Sequence, residues 1–173
     1  MTQPISTDTP EIAALRVKAN AGDAGAQLNL GYAYYTAQGV LQDYGQAVAW
    51  YRKAAEQGDA FAQYNLGLAY GLGQGVPQDD AQAAAWYRKA AEQGFAGAQH
   101  NLGLMYAEGQ GVQEDYVEGY KWLNLAASRA SSEKKRYAET LDVVAKTMTP
   151  AQLAAAQKLA REWLAAFEKR GGK

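Results

Sequence analysis

Apolar residues between 44 and 56 recur at spacings of three and four, the pattern of a helix with one buried side. The apolar positions are Ala47, Trp50, Tyr51, Ala54 and Ala55. Arg52, Lys53 and Glu56 lie on the opposite side of the same helix. The pattern therefore predicts an amphipathic helix whose apolar stripe packs against neighbouring helices.

This helix belongs to a unit that is repeated every 36 residues. The string from Ala49 to Gly58 returns letter for letter at 85–94. A unit of this length cannot bury its apolar face alone and must stack on its neighbours. The sequence therefore predicts an all-α solenoid over 11–129. Its parts are a half unit at 11–21 and full units at 22–57, 58–93 and 94–129.

Each unit is predicted to hold two helices with recognisable ends. The first helix, roughly 24–37 in the first unit, ends where a glycine can adopt a positive φ and close a C-cap. These glycines are Gly39, Gly75 and Gly111. The second helix begins at an aspartate followed three residues later by Gln or Glu, the spacing of a capping box. The pairs are Asp43 with Gln46, Asp79 with Gln82 and Asp115 with Glu118.

Gly31, Gly67 and Gly103 fall in the middle of the first helices. A mid-helix glycine costs about 1 kcal/mol relative to alanine. We expect that cost to be offset by close helix packing, with the first helix pressed against the tryptophan of the second.

The repeated signature resembles the Sel1-like repeat (SLR) family, a relative of the tetratricopeptide repeat. The matching residues read Ala-Gln-x-Asn-Leu-Gly, then Tyr, Gly-x-Gly-Val-x-x-Asp and Trp-Tyr-x-x-Ala-Ala-x-x-Gly, and they cover 22–129. The resemblance implies a right-handed superhelix of antiparallel helix pairs with an adaptor or scaffold role. Cysteine-rich members are linked to β-lactam binding or hydrolysis, but this chain contains no cysteine.

Residues 130–170 depart from the repeat and predict a C-terminal pair of capping helices. Ser132 can cap the first, and Thr149, Pro150 and Gln152 form an N-cap signature for the second. One face of the last helix carries Leu153, Ala156, Ala160, Trp163, Leu164 and Phe167. The alternative role for this helix is partner binding. Residues 1–10 are expected to be a flexible N-terminus, and 171–173 a tail.

The composition of the chain gives little indication of a catalytic, metal-binding or nucleic-acid-binding site. The net charge is −1, with basic and acidic residues mixed along the chain, so neither nucleic acid nor an anionic membrane is an expected partner. The single histidine, His100, has no second histidine or cysteine to complete a zinc site or a hydrolytic triad. We therefore expect no metal, cofactor or catalytic residue. The N-terminus lacks a leader pattern, so the chain as given is expected in the cytoplasm, or in the periplasm or outside the cell if a leader was removed.

The three copies of the first helix differ along one side. Positions identical in all copies fall within an arc of about 200°, and the variable positions on the other side are apolar or aromatic. An uncharged stripe of this kind is typical of an interaction site. In tetratricopeptide-like stacks the first helices line the concave face, so the resemblance implies that the stripe and the neighbouring asparagines form a groove. The predicted groove consists of Leu28, Asn29, Tyr32, Tyr35, Phe61, Tyr64, Asn65, Leu68, His100, Asn101 and Leu104. Alternatively, the asparagines tie adjacent repeats together and part of the stripe packs between first helices.

These observations predict a monomeric, non-catalytic adaptor that binds a peptide or helix of another protein in an apolar concave groove. Two alternatives stay open. The chain could be an envelope scaffold that binds peptidoglycan or polysaccharide, because tyrosine also stacks on sugars, or a β-lactamase-like hydrolase.

Overall fold

The computed structural model describes residues 8–130 and 132–172, which form nine α-helices and no strand. The chain divides into two compact units, Met1–Gln78 and Asp79–Lys173. The first unit contains α1 (Pro10–Asn20), α2 (Ala24–Thr36), α3 (Tyr44–Glu56) and α4 (Ala60–Leu72). The second contains α5 (Asp80–Glu92), α6 (Ala96–Glu108), α7 (Tyr116–Arg129), α8 (Lys134–Ala145) and α9 (Pro150–Lys169).

The predicted starts of the second helices are confirmed. Asp43, Asp79 and Asp115 are the N-caps of α3, α5 and α7, and each carboxylate accepts a hydrogen bond from the backbone N–H three residues on. Among the described helices, only α9 completes the reciprocal capping box, through Thr149 and Gln152. The aspartates therefore act as simple N-caps, and the predicted return bond from the third residue does not form.

The predicted C-caps are wrong by two residues. The helix-ending residues with a left-handed backbone are Ala37, Gly73 and Gly109. Gly75 and Gly111 also have positive φ, but they lie in the loop that follows. A Cβ on Gly75 would overlap the backbone of Tyr44, so this glycine is required where the loop crosses the start of α3.

Two of the three mid-helix glycines, Gly31 and Gly103, mark close helix contacts, as predicted, but the contacting residue is different. A Cβ on Gly31 would lie 2.7 Å from Cδ1 of Tyr51, and one on Gly103 would lie 2.7 Å from Cγ of Leu123. Both contacting residues come one position after the tryptophan. Trp50 is instead buried in a cluster with residues of α1 and α2.

Side chains that the sequence pattern did not single out join each second helix to the following first helix. The amide nitrogens of three buried glutamines donate to backbone carbonyl oxygens eight residues earlier, at 3.0–3.1 Å. The glutamines are Gln27, Gln63 and Gln99. Guanidinium groups donate to tyrosine hydroxyls eighteen residues later. These pairs are Arg16 with Tyr34, Arg52 with Tyr70 and Arg88 with Tyr106.

The C-terminal helices pack against α7. Val144 of α8 and Ala156 of α9 share a buried cluster with Tyr120 and Leu123. The predicted apolar face of α9 turns inward, with Ala156, Ala160 and Phe167 buried and the other three residues half-buried. The predicted cap Ser132 is wrong: α8 begins after Glu133, which provides no side-chain cap bond.

The predicted terminal segments are only partly within the described residues. Residues 1–7 and 173 lie outside them. The remainder of the expected flexible N-terminus takes part in structure, because Thr9 caps α1 and Asp8 pairs with Arg16 at 2.6 Å.

Candidate functional site

A cleft in the first unit lies between α2, α3 and α4 and encloses about 80 Å³. Tyrosines from α2 and α3 supply most of its aromatic surface, and α4 supplies an asparagine, a leucine and an alanine. Its lining residues are Tyr32, Tyr35, Tyr44, Ala47, Val48, Tyr51, Asn65, Leu68, Ala69 and Gln74. We refer to this feature as the tyrosine cleft.

Two of its tyrosine rings are held at an angle by hydrogen bonds. The ring centroids of Tyr35 and Tyr44 lie 5.2 Å apart, with a 58° angle between their planes. The Tyr35 hydroxyl donates to Oε1 of Gln74 at 3.0 Å. Nε2 of Gln42 donates to the Tyr35 carbonyl oxygen at 2.9 Å and to the Tyr44 hydroxyl at 3.2 Å. These bonds fix the orientation of both rings and of the Gln74 amide.

The tyrosine cleft is uncharged. None of its lining residues is acidic or basic. Burial raises the pKa of the Tyr51 hydroxyl far above its ordinary value, with smaller contributions from Tyr35 and Tyr32. The cleft therefore offers hydroxyls, amides and ring faces, with no acidic or basic side chain in its lining.

Only part of the predicted groove lines the tyrosine cleft. Tyr32, Tyr35, Asn65 and Leu68 line it. Leu28, Asn29, Phe61 and Tyr64 lie in the same unit outside the lining. Phe61 is 59% exposed and Tyr32 is 49% exposed.

Three polar lining residues, Tyr44, Tyr51 and Gln74, were not among the predicted site residues. The predicted groove residues all lie in first helices, whereas Tyr44 and Tyr51 lie in the second helix α3 and Gln74 lies in the loop after α4. The sequence does distinguish Tyr44 as a variable position, because the corresponding residue in the next copy is Asp80.

In the second unit two of the predicted groove residues, His100 and Leu104, pack against residues of α8. His100 is only 6% exposed and stacks on Tyr137 of α8, with ring centroids 4.2 Å apart and an 18° angle. Burial lowers the pKa of His100 to about 4, with a contribution from Arg136 that Glu133 partly offsets. Leu104 packs against the cluster that α7 forms with the C-terminal helices. The expectation that His100 and Leu104 face an open groove therefore differs from the structure.

The structure also bears on the asparagines. The side-chain amide hydrogen bonds that connect each second helix to the next first helix are donated by the buried glutamines. Among the described residues, the side chains of Asn29, Asn65 and Asn101 make no such bond. Asn101 is half-buried and Asn29 is exposed. The tying role therefore belongs to glutamine, and the amide of Asn65 borders the tyrosine cleft.

Within residues 8–130 and 132–172, no group of three or more His, Asp or Glu side chains is placed to hold a metal ion. No helix there has the length and apolar character needed to cross a membrane.

Known proteins resemble the chain in sequence and in fold. The profile of the Sel1 repeat matches residues 24–59, 60–95 and 96–131, a frame two residues later than the predicted units. No curated protein sequence matches the chain.

Two solved structures are similar. One is a protective antigen present in uropathogenic Escherichia coli strains that displays an SLR fold, with 38% identity and a TM-score of 0.81. The match covers 93% of this chain and 36% of the antigen. The other is a Sel1 repeat protein from Oxalobacter formigenes, with 41% identity and a TM-score of 0.64. That match covers 66% of this chain and 47% of the relative. The chain thus spans between a third and a half of the length of each.

The three profile matches together span well over half of the chain, and the helices reproduce the fold of the antigen. The predicted all-α repeat fold is therefore confirmed, and the chain belongs to the Sel1 repeat family.

Proposed function

We propose that the chain is a non-catalytic scaffold that binds a segment of another protein at the tyrosine cleft and the exposed aromatic residues of the first unit. Sel1 repeat proteins generally mediate protein–protein interaction. The observation that carries the proposal is the uncharged, tyrosine-lined cleft beside Tyr32, which is half exposed.

The composition of this surface supports protein binding. Aromatic residues are enriched and charged residues depleted at the centre of protein interfaces. Tyr32 and Phe61 each leave about half of their surface in water in the unbound chain. Truncating an aromatic residue at the centre of an interface often weakens binding by about 2 kcal/mol or more, so these two side chains are suited to be main contacts.

The size of the cleft supports a macromolecular partner. Pockets that enclose a drug-sized ligand usually measure about 300 to 1,000 Å³. The tyrosine cleft encloses about 80 Å³. It is therefore suited to one side chain of a larger partner, with the exposed aromatic residues contacting the remainder.

The test separates binding from folding. Proteins captured by the intact chain are identified by mass spectrometry, and the affinity of the captured partner is then measured for Tyr32→Ala and Phe61→Ala. We expect each variant to weaken binding by about 30-fold, the equivalent of 2 kcal/mol, while melting close to the parent protein. Leu66→Ala, by contrast, truncates a fully buried side chain and should lower stability by about 2 to 5 kcal/mol.

The same comparison can overturn the proposal. Unchanged partner affinity in folded Tyr32→Ala and Phe61→Ala proteins would move the binding surface elsewhere. If these variants melted as early as Leu66→Ala, the residues would be part of the core.

Carbohydrate binding is a second candidate, because tyrosine rings and amides also suit the apolar faces and hydroxyls of sugars. The relevant observation is the same uncharged lining of the cleft. Sedimentation of the chain with insoluble peptidoglycan, lost in Tyr32→Ala, would favour this function over protein binding. Hydrolysis is not proposed, since the single histidine is buried under α8.

A further inference from the structure

Two polar groups of the tyrosine cleft, the amide of Gln74 and the hydroxyl of Tyr44, each keep a hydrogen-bond donor available. Oε1 of Gln74 already accepts from the Tyr35 hydroxyl at 3.0 Å, which leaves Nε2 of Gln74 to donate elsewhere. The Tyr44 hydroxyl already accepts from Gln42 at 3.2 Å, so its own hydrogen is available to donate. Asn65 adds an amide that can also donate. A complementary ligand therefore presents acceptors to the donors of Gln74 and Tyr44.

Proline-containing peptides have this chemistry. Proline keeps its carbonyl acceptor but has no backbone N–H. In the polyproline II conformation the carbonyls form no internal hydrogen bonds and face the surroundings. Aromatic-lined grooves bind this conformation at a low entropic cost because it is preformed in the free peptide. Acceptors on the peptide would thus meet donors in the cleft.

The shape and charge of the cleft narrow the choice further. The Tyr35 and Tyr44 rings are tilted by 58°, which forms an angled wall. The enclosed space of about 80 Å³ is smaller than a cavity of about 150 Å³ that binds benzene. A small space of this kind favours a compact apolar ring such as pyrrolidine over the much larger indole ring. A charged side chain would be desolvated here without an opposite charge among the lining residues.

We propose that the tyrosine cleft binds a proline residue of an extended, proline-rich segment of the partner protein. This inference rests on the proposed function and specifies the chemistry of the partner. Tyr35 and Tyr44 supply ring surface to the pyrrolidine. Gln74 and Asn65 donate to the carbonyl oxygens of the flanking peptide backbone.

The experiment uses the full chain and a displayed library of random twelve-residue peptides. Peptides selected on the parent protein are sequenced, synthesised with a fluorescent label and titrated by anisotropy. The key variant is Gln74→Glu, which keeps an acceptor for the Tyr35 hydroxyl but replaces the free donor with a carboxylate oxygen. Gln110→Glu is the matched control, since Gln110 is the exposed counterpart one repeat later.

We expect the selected peptides to be enriched in proline, and Gln74→Glu to weaken their binding at least tenfold while Gln110→Glu leaves it unchanged. Selected peptides without proline that nevertheless lose binding in Tyr32→Ala would overturn the inference and leave the proposed function standing. Proline-rich peptides that bind Gln74→Glu as well as the parent would also overturn it. If no selected peptide depended on Tyr32 or Phe61, both the inference and the proposed function would be wrong.

Discussion

The same surface of the repeat forms a cleft in the first unit and a closed core in the second. Tyr32, Tyr35 and Tyr51 of the first unit correspond, at an offset of 72 residues, to Leu104, Ala107 and Leu123 of the second. The tyrosines line a cleft of about 80 Å³. The second-unit residues instead join a cluster that includes Leu141 and Val144 of α8. Helices at equivalent repeat positions thus form a cleft in one unit and a core in the other, and the side chains determine the outcome.

The difference has a simple physical basis. A buried tyrosine needs a hydrogen-bond partner or water for its hydroxyl, so three neighbouring tyrosines are harder to cover completely than apolar side chains. Leucine and alanine carry no polar atom and can be covered completely, as the full burial of Leu123 shows. Gly119 replaces Ala47 at the corresponding position, and a Cβ there would lie only 3.0 Å from the Gly103 carbonyl oxygen. The helices of the second unit are therefore packed more closely at this point.

The largest expected effect is the loss of the C-terminal helices. Ending the chain at 131 removes Leu141, Val144 and Ala156 from their contacts with Tyr120 and Leu123. Uncovering each large apolar side chain costs about 1.5 to 3 kcal/mol, and a whole domain has only about 5 to 15 kcal/mol. We expect an aggregating protein without a cooperative transition, as judged by gel filtration and urea denaturation. A soluble, cooperatively unfolding fragment would make α8 and α9 a binding appendage.

Acid should destabilise the closed core of the second unit. Burial lowers the pKa of His100 from 6.5 to about 4, so the unfolded chain takes up this proton more readily than the folded one. The free energy of unfolding should therefore fall as the pH drops from about 6.5 to 4, by roughly 3 kcal/mol in total. Equilibrium urea denaturation across this range measures the effect.

His100→Leu is the control, because Leu28 occupies the corresponding position of the first repeat. The free energy of unfolding of His100→Leu should not show the decrease that protonation of His100 causes between about pH 6.5 and 4. The remaining pH dependence comes from the other titratable side chains. Identical pH profiles for the parent and His100→Leu would show that the imidazole does not need to remain neutral under α8.

The two mid-helix glycine contacts should respond differently to a methyl group. In Gly103→Ala the Cβ would lie 2.9 Å from the backbone oxygen of Gly119, and overpacking of this kind typically costs about 1 to 3 kcal/mol. In Gly31→Ala the two nearest atoms belong to the Tyr51 ring, which borders the cleft and can shift toward it, and the backbone oxygen of Ala47 lies farther away, at 3.1 Å. We expect a smaller loss for Gly31→Ala in urea denaturation.

Gly25→Ala provides the baseline for the glycine pair. Its Cβ would lie 3.4 Å from Oδ1 of Asp23, which is an ordinary contact. The variant should therefore be as stable as the parent protein or slightly more stable, because alanine has a higher helix propensity than glycine. Equal losses at Gly31 and Gly103 would contradict the claim that the cleft leaves Tyr51 room to move.

Periodicity in the sequence predicts the helices and the family well, because stacking imposes the same buried positions on every copy. It predicts contacts less well. The closest approach of Gly31 is to Tyr51 and not Trp50, since helix rotation decides which of two adjacent large residues faces the glycine. The covering of His100 by α8 was also missed, because residues 130–170 lie outside the repeat and carry no periodic signal of where they pack.

The smallest expected effect concerns the hydrogen bond that orients the cleft. Tyr35→Phe removes the 3.0 Å bond to Gln74, and the second unit has no counterpart because Ala107 replaces the tyrosine. A hydrogen bond of this kind contributes about 0.5 to 1.5 kcal/mol to the free energy of unfolding. Because Tyr35 and Gln74 are only half-buried, we expect a value near the lower limit. A double-mutant cycle with Tyr35→Phe and Gln74→Ala should give a coupling in that range. In Tyr35→Phe the free energy of peptide binding should fall by more than the free energy of unfolding. The reason is that the Gln74 amide, without its bond to Tyr35, is no longer oriented with Nε2 toward the peptide. Zero coupling, with unchanged peptide affinity, would mean that the two residues act independently, and the orientation of the cleft would then have to come from Gln42 alone.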